Sequence, residues 1–93
     1  MHVFAAVMHL HLQSNSLKAK RGIVKSILAR ARNAFNVSAA EVDLQDVHGS
    51  ALLAFVTVSE SRAKARRLLE QVEEKTAEER PDVEIAAFEI EER

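Results

Sequence analysis

The chain has no cysteine. That excludes a disulfide, a thiolate nucleophile and a cysteine-based zinc site, and it suits a cytoplasmic protein. Tryptophan and tyrosine are also absent, and only four phenylalanines are present, so a surface for stacking nucleobases has little to be built from. Two glycines and one proline leave no glycine-rich phosphate loop and no nucleophile elbow. No catalytic role, cofactor or small-molecule substrate is therefore expected. No apolar run approaches the ~20 residues of a membrane span. The opening "MHVFAAVMHLHL" lacks a basic leader and a cleavage site, which predicts a strand and not a signal peptide. Acidic residues are missing from the first forty positions. Residues 1–40 carry six Lys/Arg and no Asp or Glu, and residues 41–93 carry seven Lys/Arg and fourteen acids. Charges of +6 and −7 thus cancel to a net −1. Such asymmetry points either to an anionic partner for the basic half or to pairing between the halves.

What is present is strong periodicity over 93 residues, a length that fits one domain, 1–93. Residues 2–12 alternate, with Phe4, Ala6, Met8, Leu10 and Leu12 on one face and Val3, Ala5, Val7, His9 and His11 on the other. Period two with both faces apolar predicts a central strand. Ser16 is the expected N-cap of an amphipathic helix in which Leu17, Val24, Ile27, Leu28, Ala31 and Phe35 recur at helical spacing. Lys18, Lys20, Arg21, Lys25, Arg30 and Arg32 fill its other faces, and Asn36 is expected to leave it in the left-handed region. "FNVSAAEVDL" reads as a second strand, "QDVHGS" as a turn and "ALLAFVTV" as a third strand. Ser59 or Ser61 caps a second helix that ends before Pro81. "VEIAAFEIE" closes the chain as a strand whose phase slips at Ala86-Ala87, as a bulge would cause.

The order β-α-β-β-α-β predicts an α+β, ferredoxin-like sandwich: a four-stranded antiparallel sheet with two helices on one face. That topology gathers the end of the first strand, the start of the first helix and the turn between strands two and three. Lys18, Lys20, Arg21, Asp43, Gln45 and Asp46 meet there as a candidate partner-binding site. The plainer reading is that Lys18 or Arg21 pairs with Asp43 or Asp46, or that the cations neutralise Glu78 and Glu79 at the end of the second helix. A second candidate is a basic patch of Arg30, Arg32, Arg62 and Arg66, with Lys64 and Arg67 beside them. His9 and His11, two apart on one strand face, have the types for a metal pair, but a half-exposed histidine pair is the reading adopted, without a metal. The sheet face away from the helices is expected to be apolar. It carries Val3, Ala5 and Val7 with either Leu53 and Phe55 or Leu52, Val56 and Val58, and self-association through it is expected.

"SLKAKR", "FNVSAAEVDLQD" and the final "VEIAAFEIE" resemble the YlxP-like family of small bacterial proteins, over essentially the whole chain in order. Ala19 stands where the family pattern has Glu, which removes the carboxylate of a capping box, and "VHG" stands where it has a bulky aromatic. The resemblance implies the ferredoxin-like fold and no established reaction. It also implies encoding beside translation and ribosome-maturation factors, hence a ribosome- or RNA-associated role. The reading that follows is a non-enzymatic domain that meets RNA or a ribosomal particle through its basic helix surfaces. A homodimeric protein-interaction module using the open sheet face is the alternative.

Overall fold

A computed structural model describes all residues, 1–93. Its elements are β1 (His2–Leu12), α1 (Leu17–Ala34), β2 (Ser38–Asp43), β3 (Ser50–Ser59), α2 (Arg62–Glu79) and β4 (Val83–Glu92). The sheet runs β2-β3-β1-β4 with every neighbouring pair antiparallel. Both helices pack on one face, giving the ferredoxin-like sandwich that the element order predicts.

Alternation decides which side chains the helices cover. Phe4, Ala6, Met8, Leu10 and Leu12 of β1 are buried, as are Ala51, Leu53 and Phe55 of β3. Val24, Ile27 and Leu28 of α1 and Leu69 and Val72 of α2 close over them as one continuous apolar cluster. The phase of β3 is thereby settled. Leu53 and Phe55 belong to the core, and Leu52, Val56 and Val58 lie on the open face.

The phase slip in β4 is a bulge. Pairing jumps from Ala87 opposite His9 to Ile85 opposite Leu10, which leaves Ala86 as the extra residue. The bulge lets Val83 and Ile85 point to the same side as Phe88 and Ile90, so both halves of the strand feed the core. β2 carries a similar irregularity between Glu41 and Asp43.

Both N-caps act through serine. The Ser16 hydroxyl accepts from the Ala19 amide at 3.1 Å, and Ser61, not Ser59, caps α2 by accepting from the Lys64 amide at 3.3 Å. The exit from α1 differs from expectation. Phe35 leaves the helix in an extended conformation, φ −135°, and Asn36 is not left-handed, because the one residue with positive φ is Leu44. No left-handed reversal is needed where the chain turns straight into β2. The Asn36 carbonyl instead accepts from the buried Thr57 hydroxyl at 2.9 Å, tying that corner to β3.

Candidate functional site

Of the cations in "SLKAKR", Lys20 turns inward. Its side chain is fully buried, which leaves an ammonium carrying three donors that need acceptors. The turn between β2 and β3 supplies them. Lys20 Nζ donates to the Leu44 carbonyl at 2.5 Å and to the Val47 carbonyl at 2.6 Å. Glu41 Oε2 lies 2.9 Å away as the counter-charge, angled off a well-directed hydrogen bond. The carbonyls therefore supply the directed bonds and Glu41 supplies the charge balance that a buried cation requires.

That lysine organises the turn. Leu44 sits at φ 64°, a region that costs a non-glycine residue roughly 1 kcal/mol. The Asp43 carboxylate accepts from the Leu44 amide at 2.8 Å, and the Val47 amide donates to the Leu44 carbonyl at 3.0 Å. Two further bonds join the turn to the end of β1 and the loop that leads into α1. The His48 ring Nδ1 donates to the Ser14 carbonyl at 3.0 Å, and the Leu12 amide donates to the Gly49 carbonyl at 3.0 Å. Lys20, Asp43 and Gln45 do meet at this end of the sheet, but as parts of a latch. Gln45 reaches the Glu41 carbonyl at 3.5 Å, and Asp46 is exposed at the tip of the turn. The clip on the hairpin is Lys20 to Glu41, and not Lys18 or Arg21 to Asp43 or Asp46.

Periodicity contains the signal for Lys20. Leu17, Lys20, Val24, Ile27 and Ala31 follow one another at spacings of three and four, so the lysine lies in phase with the core face. Chemical type alone had assigned it to the solvent faces.

Lys18, Arg21 and Lys25 point outward and have no carboxylate within ion-pair distance. Glu79, the expected neutraliser, pairs with Arg30 at 3.3 Å and with Lys75 at 3.6 Å. Steps of 100° per residue place Lys18, Arg21, Lys25 and Arg32 within about 60° of one another, in a stripe about 21 Å long. Arg30 lies on the flank of α1 that meets α2, and Arg32 lies on the other flank, where it donates to the Ala39 carbonyl of β2 at 2.8 Å. The stripe therefore borders the β2 edge.

The expected patch of Arg30, Arg32, Arg62 and Arg66 does not assemble. Arg30 meets the end of α2, while Arg62, at its start, pairs with Glu92 at 2.9 Å. Seventeen helical positions, about 25 Å, separate those ends. The Arg66 guanidinium lies over the Phe4 ring at 5.9 Å. Both terminal turns of α2 have the charge arrangement that a helix dipole disfavours. Local pairing offsets it. Lys64 donates to Glu60 at 2.7 Å. That hydrogen bond first, then the Glu60 backbone amide and the Ser59 hydroxyl, hold the Glu60 carboxyl at about 2. Arg67 pairs with Glu70 and Glu74.

His9 and His11 pack edge to face with ring centres 4.9 Å apart. His11 Nδ1 is 3.2 Å from the Glu84 carboxylate, and no group of three or more metal-ligating side chains converges anywhere in the chain. No helix is long and apolar enough to cross a membrane.

Comparisons with known proteins bear on the family and the fold. Residues 3–90 match the model of a family described as "Protein of unknown function (DUF503)". The chain is 36% identical over 69 residues, 74% of its own length and 75% of the relative's, to "Uncharacterized protein YlxP" of Bacillus subtilis (strain 168). A de novo designed protein with a ferredoxin fold, solved by solution NMR, superposes with a TM-score of 0.64 over 100% of this chain and 86% of that one. At 15% identity that likeness speaks to the fold.

Proposed function

The chain belongs to the DUF503 family of proteins of unknown function, and on that premise we propose that it is a non-enzymatic domain that docks on structured RNA or a ribonucleoprotein particle along the outer stripe of α1. One observation carries the reading. Of thirteen Lys/Arg residues, eight sit in ion pairs. Thirteen less eight leaves five unpaired: Lys18, Arg21, Lys25, Arg32 and Arg66. Four of these five form the α1 stripe, and α1 carries no acidic residue at all. Residual positive charge is thus concentrated on one rigid line, although the sequence pI is near 6.4. Phosphates spaced along a nucleic-acid backbone are the matching partner for such a line.

The sheet does not support the other common mode, base stacking on strand aromatics. Phe4 and Phe55 face the helices and are buried. Contact through phosphates positions a protein without reading sequence, so structured RNA of varied sequence should bind alike.

The test is RNA affinity against salt concentration. Replacing Lys18, Arg21 and Lys25 together by alanine should weaken binding for every RNA tried and lower the slope of log K on log salt by about one per residue removed. An unchanged slope would contradict the assignment. Lys20 is left intact in this variant because its removal disturbs the turn.

A further inference from the structure

The sheet face turned away from the helices is apolar where its two central strands pair from Val3 to Val7, and turns polar beyond that at His9 and His11. β1 contributes Val3, Ala5 and Val7, and β3 contributes Ala54, Val56 and Val58. We propose that a second copy of this chain covers this face, packed sheet on sheet about a twofold axis that runs parallel to the strands between β1 and β3. The proposal is independent of the RNA reading.

Relief on the face matches itself under that operation. Ala5 is opposite Val56 in the pairing of β1 with β3, and Val7 is opposite Ala54. Val7 and Val56 stand out from the surface, 36% and 39% exposed, whereas Ala5 is a depression only 8% exposed. A twofold axis along the strands lays each β3 over the other copy's β1 at the same height. Val56 then descends onto the partner's Ala5, and Val7 onto the partner's Ala54, large on small at these two central levels, while Val58 meets the partner's Val3 at the margin of the face. An isologous interface needs this self-complementarity.

Charge selects the same axis. Glu89 and Glu91 lie on the open side of β4, opposite Val7 and Ala5 of β1. A twofold axis across the strands would stack β4 on the partner's β4 and bring these rows of carboxylates together. The axis along the strands places Glu89 over the partner's Ala40 and Glu91 over the partner's Ser38, both uncharged, at the solvated rim. Acidic Asp43 and Glu84 lie towards the sheet's end, outside the valine contacts.

Area permits a dimer of modest strength. Three strands about 33 Å long and the shorter β2, about 20 Å, at a spacing of about 4.8 Å present roughly 500–600 Å² per copy. Two copies bury about 1,000–1,200 Å², the lower end of specific interfaces.

The experiment is molar mass by light scattering and sedimentation equilibrium on the full chain. The wild type should give twice its 10.4 kDa monomer mass, and Val56→Glu should halve that value with an unchanged circular dichroism spectrum, since Val56 lies outside the core. A monomeric wild type, or a Val56→Glu protein that stays dimeric, overturns the proposal. Ala5→Val should weaken the dimer about tenfold or more by setting valine against valine, and Ala5→Val with Val56→Ala should restore it by exchanging knob and depression. A double variant no tighter than Ala5→Val alone overturns this twofold arrangement.

Discussion

Lys20 shows how one side chain can decide the use of a whole stretch. Its ammonium is fully buried and answered by two carbonyls and one carboxylate. Lys20→Met keeps the stem and removes the charge, leaving Glu41 and the turn carbonyls without their partner. Breaking a buried pair in this way costs about 3–5 kcal/mol, measurable as a lowered urea midpoint. Lys18→Ala, on the exposed face, should change stability by no more than about 0.5 kcal/mol. Equal effects of the two substitutions would contradict the division of "SLKAKR" into an inward and an outward part. Gly22 offers a second check. A Cβ built there meets nothing within 4 Å, and the residue lies mid-helix. Gly22→Ala should raise stability by about 1 kcal/mol in the same assay. Helical spacing contains the burial of Lys20, but its acceptors are backbone carbonyls of a turn closed by distant pairing. Chemical type therefore suggested a surface cation where packing makes an anchor.

At the scale of elements, the charge order of α2 is carried by side-chain pairing. Glu60, one residue before the Ser61 cap, is held at about 2 against an ordinary 4.5 by Lys64, its own amide and the Ser59 hydroxyl, in that order. Its folded value lies below its unfolded one. The linked stabilisation is therefore complete above pH 4.5 and is lost as pH falls from there through about 2. Carbon-detected NMR titration should place the Glu60 midpoint near 2, and Lys64→Ala should move it up towards the ordinary carboxylate range. An unmoved midpoint in that variant would remove the Lys64 contact from the account. The sequence made the six elements legible because each is amphipathic at its own period, and even the β4 bulge appeared as a slip at Ala86-Ala87. The exit from α1 was not legible. Asn tolerates the left-handed region, yet nothing local reveals that the chain needs no reversal there, whereas Leu44 takes that conformation in the turn whose carbonyls accept from Lys20.

At the scale of the whole molecule, topology fixes what meets what, and the offset between helices fixes which charges cancel. Antiparallel helices alone suggested that the end of α1 would join the basic start of α2. Instead Arg30 reaches Glu79 at the end of α2, so the expected patch divides and positive charge remains along α1. A one-dimensional pattern specifies which residues face out and leaves open how far two helices slide past each other. The direct measurement is cosedimentation of the purified protein with bacterial ribosomal particles at low and then moderate salt. The account predicts pelleting at low salt that is lost as salt rises and is absent from the Lys18, Arg21 and Lys25 alanine variant. A protein that stays in the supernatant at both salts, or a variant that pellets as the wild type does, would contradict it.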